Sequence, residues 1–188
     1  MNVLISGGCK NGKSHDAQKL AKKIAQPEKP LYYLATMVPV DLEDRQRIEK
    51  HRSDREGWGF ETIEISRDIL TATRHCDPSG SFLLDSITAL LANEMFEKEG
   101  TVVPNASRKV ADDLRQLAEK VKNIVFVSDE IHSDASLYDP VTNEYRKGLA
   151  HIGKTLAQVC DYVLEAVCGN LIVHKPAPQV LAATSTFY

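Results

Sequence analysis

The sequence predicts an α/β fold of three layers: a mostly parallel sheet between helices, closed by a C-terminal antiparallel hairpin. Three observations lead there. Short apolar runs alternate with longer amphipathic stretches along the chain, the pattern of strands joined by crossover helices. Several of the runs are continuous in Val, Ile, Leu and Tyr, as strands covered on both faces are. A Gly-Asn pair separates the last two runs and reads as a hairpin turn.

Taken in order, Val3–Ser6 is the first strand and Lys13–Ala25 the first helix. Leu31–Ala35 follows as a strand, and Asp41 is a plausible N-cap for a helix over Leu42–Asp54. Glu61–Ile65 and Phe82–Asp85 are strands, and Ile87–Glu99 and Ala106–Val121 helices. Ile124–Ser128 is the next strand. Ser133–Asn143, with its Asp, Ser, Pro and Asn, reads as a loop of a length that often carries function. The last helix is Thr142–Cys160. Tyr162–Val167 and Leu171–His174 pair around Gly169-Asn170.

Composition limits the function. The 188 residues suggest one domain spanning residues 1–188. A formal net charge of -3, with basic residues scattered along the chain, gives no reason to expect nucleic acid as a partner. No apolar stretch approaches the roughly 18 residues of a membrane span. The N-terminus lacks the basic-then-apolar pattern of a secretory signal, which suits a cytoplasmic protein. Cys9, Cys76, Cys160 and Cys168 show no C-x-x-C spacing, so neither a zinc site nor a disulfide framework is expected.

One motif names a ligand. Gly7-Gly8-Cys9-Lys10-Asn11-Gly12-Lys13-Ser14 fits G-x-x-x-x-G-K-[ST] between a strand and a helix, the phosphate-binding P-loop. Its glycines let the backbone approach an anion, and the helix N-terminus stabilises phosphate oxygens. Lys13 is placed to reach the β and γ phosphates, and Ser14 offers its hydroxyl to Mg2+. The fold is therefore expected to be P-loop NTPase-like. Such a site also needs a carboxylate at the end of another strand. Asp85 can supply it, although it could instead cap the helix at Ile87. Asp129 or Glu130 is the other candidate.

The helix from Leu42 places Arg47, His51 and Arg55 four residues apart. An imidazole between two guanidinium groups suits attack on a nucleotide phosphate. Spacing alone also allows a solvated charged helix carrying an incidental histidine.

At this point the chain resembles a known family, the bifunctional adenosylcobinamide kinase / adenosylcobinamide-phosphate guanylyltransferases of cobalamin biosynthesis. The resemblance rests on the loop at Gly7–Ser14, the Tyr33-Leu34-Ala35-Thr36 strand end, Asp41, and R-I-x-x-H-R at Arg47–Arg52. Arg55, Trp58, Thr62, Glu64 and L-L-D-x-[IL]-T at Leu83–Thr88 continue it. It implies two reactions: phosphorylation of adenosylcobinamide by GTP or ATP, and transfer of GMP from GTP to adenosylcobinamide phosphate. The second passes through a GMP-histidine intermediate and gives adenosyl-GDP-cobinamide and pyrophosphate. The matching histidine is His51. By the same match Gly7, Gly8, Cys9, Lys10, Asn11, Gly12, Lys13, Ser14, Leu34, Ala35, Thr36, Arg52, Ser53, Asp54, Arg55, Glu64 and Asp85 bind GTP, with Ser14 and Asp85 toward Mg2+. A homotrimer is implied as well.

The second half departs from the family pattern. Where the family commonly has N-E-V-G, the chain reads Asp129-Glu130-Ile131-His132. Where the family has R-x-[FY]-R-D-x-x-G-x-x-N-Q, only Tyr145 and Arg146 keep the pattern, with Lys147, Ala150, Gly153 and Lys154 replacing its Asp, Gly and Asn-Gln. Asn11 replaces the usual loop serine. Two alternatives therefore stand beside the bifunctional enzyme. One is a divergent member with guanylyltransferase activity alone or an altered acceptor. The other is a non-enzymatic GTP-binding regulator.

Overall fold

A computed structural model describes residues 1–97, 101–133 and 136–176, with Arg47 described by its backbone alone. The chain runs β1 (Asn2–Gly7), α1 (Lys13–Ile24), β2 (Leu31–Ala35), α2 (Leu42–Asp54) and β3 (Phe60–Glu64). A 3-10 turn over Ile69–Arg74 leads to β4 (Ser81–Asp85), α3 (Ile87–Met95), α4 (Ala106–Lys120) and β5 (Asn123–Asp129). Then come α5 (Pro140–Val159), β6 (Tyr162–Val167) and β7 (Asn170–Lys175).

The strands form one sheet in the order β3-β2-β4-β5-β1-β6-β7. Every pairing is parallel except β6 with β7. This is the mostly parallel, three-layer P-loop arrangement expected, with its terminal antiparallel hairpin.

Because successive strand side chains point to opposite faces, the central strands feed two cores. Leu4, Leu34, Phe82, Leu84, Ile124 and Phe126 pack against α3, α4 and α5. Val3, Ile5, Tyr33, Leu83, Val125 and Val127 face α1 through Ala17, Leu20 and Ala21. Fully burying one such Leu, Ile or Phe contributes about 1.5–3 kcal/mol, and this double coverage fixes the strand ends where ligands bind in parallel sheets. Among the described residues no helix is long and apolar enough to cross a membrane.

Some boundaries differ from the sequence expectation. Helix α3 stops at Met95 rather than Glu99, which itself lies outside the described residues. Phe96 turns extended, bridges Val102 antiparallel, and gives its carbonyl to Arg67 Nη2 at 2.8 Å. Its backbone thus serves tertiary partners instead of another helical turn. Helix α5 begins at Pro140, inside the expected 133–143 loop. Asp139 Oδ1 accepts from the N–H groups of Val141 (2.9 Å) and Thr142 (3.1 Å), and proline suits the first helical position. The hairpin turn is Cys168-Gly169, both at positive φ (50 and 78), while Asn170 already pairs with Val167. The 3-10 turn was not expected. It forms where Ile69 and Ala72 are buried and Glu94 Oε1 accepts from the Asp68 N–H at 2.7 Å.

Candidate functional site

The phosphate loop is shaped by backbone constraints that its sequence states. Gly7 has φ 152, and a Cβ there would stand 2.5 Å from Asn11 Nδ2 and 2.6 Å from the Ala166 carbonyl. Asn11 Nδ2 donates to that same carbonyl at 2.6 Å, tying the loop to β6. Gly12, at φ 88, turns the chain left-handed into α1 and brings no side chain to cap it. The helix therefore opens with N–H groups directed at the place where an anion binds.

Lys13 is buried, with 6% of its surface exposed. Its Nζ donates to the Gly8 carbonyl at 3.0 Å and lies 2.5 Å from Asp129 Oδ1. Asp129 ends β5 directly beside Gly7 in the strand register. Its N–H donates to Thr88 Oγ1 at 2.9 Å, and the Tyr145 hydroxyl donates to the Thr88 carbonyl at 2.8 Å. Burial, and then the Asp129 charge, push the Tyr145 hydroxyl well above its ordinary value, so it stays a proton-bearing donor.

Asp85 ends β4, the neighbour of β5. The sequence left it two roles, and the cap belongs to Ser86, whose hydroxyl accepts from the Ala89 N–H at 3.3 Å. Asp85 Oδ2 instead accepts from the Tyr33 hydroxyl at 2.9 Å. Thr36 Oγ1 brackets the next residue, accepting from the Ser86 N–H and donating to the Ser86 carbonyl, both at 2.8 Å.

Helix α2 carries His51 and is attached differently from the others. Asp41 caps it as expected, Oδ1 accepting from the Asp44 N–H at 2.8 Å. None of its described side chains is buried. Its carboxyl end is held by Arg52, which pairs with Glu64 on β3, and by Arg55. Arg55 is the C-cap residue and only 7% exposed. Its Nη1 donates to the His51 carbonyl at 2.7 Å, and Nε and Nη2 reach Thr62 Oγ1 at 3.4 and 3.3 Å. The guanidinium lies 4.0 Å over the Tyr33 ring. The spacing argument made Arg55 a phosphate-facing partner of the imidazole, but Nε, Nη1 and Nη2 are all engaged in fastening α2. Burial, countered by Tyr33 and Asp85, lowers its pKa from the ordinary value.

These parts meet at one cavity of about 520 Å³. Of the residues singled out from sequence, His51, Ser14, Ala35, Arg52, Arg55, Glu64 and Asp85 line it. Gly7–Lys13 form the loop beside it. Leu34 and Thr36 are wholly buried and do not line it, and Ser53 and Asp54 are exposed outside it. Tyr33, Thr62, Thr88 and Tyr145 line it without having been given a role at the site; of the alternative strand-end carboxylates, Asp129 lines it and Glu130 does not. The only sequence signal for Thr88 and Tyr145 was their place in the two family patterns.

The family model for cobinamide kinase / cobinamide phosphate guanyltransferase matches residues 3–173. The chain belongs to that family. The bifunctional adenosylcobalamin biosynthesis protein of Salmonella typhimurium is 26% identical to it over 180 residues, covering 90% of this chain and 97% of that protein. The Pseudomonas aeruginosa counterpart is 26% identical over 179 residues, 95% of this chain and 99% of its own. The Escherichia coli K12 counterpart is 33% identical over 108 residues, 56% of each chain. Among solved structures, an ATPase domain superposes with a TM-score of 0.51 at 14% identity, over 87% of this chain and 68% of that one. A Pyrococcus horikoshii OT3 protein does so with a TM-score of 0.50 at 12% identity, over 95% and 88%. These two likenesses are of fold.

Proposed function

We propose that this chain is the bifunctional enzyme of its family. It phosphorylates adenosylcobinamide, then transfers GMP from GTP to adenosylcobinamide phosphate, in cobalamin biosynthesis. The observation that carries this reading is the meeting of His51, Arg52, Glu64, Asp85 and Ser14 at one cavity beside the phosphate loop. A nucleotide-binding regulator needs the loop alone. It has no use for a nucleophile at the same cavity.

In guanylyl transfer an imidazole nitrogen of His51 attacks the α-phosphorus of GTP. The N–P bond forms, the α–β bridging P–O bond breaks, and pyrophosphate leaves with that electron pair. Lys13 and the N–H groups opening α1 stabilise the departing charge. A phosphate oxygen of the acceptor then displaces His51 from phosphorus, giving adenosyl-GDP-cobinamide. Mg2+ favours hard oxygen donors, one or two carboxylates with water and substrate phosphates completing the shell. The Ser14 hydroxyl and the Asp85 carboxylate are donors of that kind. When bound, the ion would offset phosphate charge.

The single-domain reading, the homotrimer and a cytoplasmic location belong to the same proposal. The alternative of guanylyl transfer alone gains no support from position 147. Lys147 is solvent-exposed, pairs with Glu144 at 3.0 Å, and does not line the cavity.

The test is covalent labelling. GTP labelled at the α-phosphate, with Mg2+, should leave GMP on the protein through an acid-labile, alkali-stable bond. His51→Ala should take none. Equal labelling of both proteins would remove His51 as nucleophile.

A further inference from the structure

The cysteines fall into two pairs. All are free thiols; Cys76 and Cys160 are buried, whereas Cys9 and Cys168 are exposed. The exposed pair belongs to neighbouring strands. Cys9 stands two residues beyond Gly7, where β1 ends, and Cys168 two residues beyond Ala166 on β6. Gly7 and Ala166 are register partners in that parallel pair. Both thiols therefore emerge at the carboxyl edge of the sheet, where the phosphate loop lies.

The loop keeps Cys9 there. Its path from Gly7 to Asn11 begins and ends against Ala166: the strands pair at Gly7, and Asn11 Nδ2 donates to the Ala166 carbonyl at 2.6 Å. Cys9 is midway, two residues from either tether, and two residues of chain reach about 7 Å at most. Cys168 has the same reach from Ala166 and sits in the turn between β6 and β7. A disulfide asks for Cα atoms about 4.4–6.8 Å apart, which these tethers permit. The adjustment falls on backbone with room to make it. A Cβ placed on Gly8, Gly12 or Gly169 would meet nothing within 4 Å.

Resting on the nucleotide-binding reading of the loop, we propose that Cys9 and Cys168 are a redox modification site, closing into a reversible disulfide that switches nucleotide binding off. The oxidant is a peroxide. One thiolate attacks its O–O bond, giving a sulfenic acid and hydroxide. The other thiolate attacks that sulfur: the S–S bond forms, the S–O bond breaks, and hydroxide leaves. The two thiol protons neutralise both hydroxides, so two thiols and one hydrogen peroxide give one disulfide and two waters. A dithiol reductant reverses the step by thiol–disulfide exchange. Nucleotide binding needs the N–H groups of the loop and of α1 to converge on phosphate. A bond from Cys9 to the hairpin turn pulls Gly8–Lys10 toward β6 and out of that arrangement. Lys13 is drawn along, since its Nζ donates to the Gly8 carbonyl at 3.0 Å. Bound nucleotide, in turn, holds the loop and opposes the bond.

The test takes the full chain, reduced or treated with hydrogen peroxide, and digests it without reductant for mass spectrometry. Fragment ions must place the link between Cys9 and Cys168 rather than Cys160. GTP affinity is titrated on the same samples. Oxidation is expected to form the linked peptide and weaken GTP binding at least about tenfold, the loss of one phosphate contact or more. Dithiothreitol should restore it, and prior GTP should block the link. Cys168→Ser should bind GTP as wild type does, with or without peroxide. Absence of the linked peptide overturns the proposal, and so does a link formed only between two copies of the chain. A link that leaves GTP affinity within about threefold overturns the switch. Equal loss of binding in oxidised Cys168→Ser assigns the effect to Cys9 alone and overturns the pairing. Should that variant misfold by circular dichroism, GTP protection in wild type decides. A link that forms as fast with GTP bound as without it overturns the proposal. Reduced wild type that binds no GTP overturns the nucleotide reading and the switch with it, a distinguishable result because the linked peptide is read independently.

Discussion

Arg55 gives the sharpest perturbation because it joins the helix bearing His51 to the sheet. In Arg55→Lys the charge stays, but one ammonium cannot replace a fork that spans the His51 carbonyl, Thr62 and the face of Tyr33. The shortest of these contacts is the 2.7 Å bond to the His51 carbonyl. A hydrogen bond to a charged group is worth about 1.5–3 kcal/mol. At about 1.4 kcal/mol per decade, losing one lowers the rate of GMP attachment roughly 10- to 100-fold. Global stability should change far less, because none of the described side chains of α2 is buried and the two cores do not depend on it. The assay is single-turnover labelling by α-labelled GTP, paired with a urea titration of each protein. Labelling at the wild-type rate would refute the anchoring argument. So would a fall in the urea midpoint as large as a core truncation produces, since Arg55 would then be part of the global fold.

Three further outcomes follow from the same geometry. Gly7→Ala should abolish GTP binding in a fluorescence titration, because its Cβ would meet Asn11 Nδ2 at 2.5 Å and the Ala166 carbonyl at 2.6 Å, and only a shifted loop relieves both. Iodoacetamide at about pH 8, near the ordinary thiol value, should modify the exposed Cys9 and Cys168 but spare Cys76 and Cys160 until the protein unfolds, read by peptide mass spectrometry. Burial pushes the Cys160 thiol up to about 12 and raises Cys76 as well, and GTP should protect Cys9. The Thr142 hydroxyl and N–H, with the Val141 N–H, hold the Asp139 carboxyl below its ordinary value of 3.8. A depressed carboxylate stabilises the fold above its unfolded value and loses that contribution as pH falls through its folded one. The gap in urea midpoint between wild type and Asp139→Ala should therefore be full at neutral pH and close as pH drops below about 4.

The parts legible in the sequence are those made by consecutive residues. Gly7, Gly12, Lys13 and Ser14 carry their geometry in their spacing, and Asp41 followed by Asp44 is a cap written within four positions. The continuous apolar strands announce a sheet covered on both faces. Arg55 lines the cavity as the spacing suggested, but its anchoring role was not legible because helical spacing was extended one residue past the helix. As C-cap it left the helical path, and burial against Tyr33 outweighed solvation of its charge. Asp85 was ambiguous because a strand-end carboxylate and an N-cap look alike until Ser86 is seen to take the cap. Thr88 and Tyr145 are 57 residues apart, and only packing of α3 on α5 brings them together at Asp129. No local pattern encodes that.

The two proposed reactions make opposing demands on one nucleotide, and the attachment of α2 suggests how they are reconciled. Asp129 ends β5 and Lys13 opens α1 against it, both at the middle of the sheet, where movement would break parallel ladders and two cores. His51 sits beside Arg52, whose partner Glu64 ends β3, about three strand spacings or 14 Å from β5. A triphosphate held at Lys13 meets α2 across the cavity that Ser14 and His51 both line. Segments with few buried apolar contacts move at least cost, and α2 is held chiefly by its cap, the surface ion pair and Arg55. Phosphoryl transfer needs only the rigid middle of the sheet, whereas guanylyl transfer needs the helix in place. Arg55→Lys should therefore depress GMP attachment well before it depresses phosphorylation of adenosylcobinamide. If both activities of Arg55→Lys decline in parallel, the two reactions share one closed state, and the division of labour between sheet and helix is wrong.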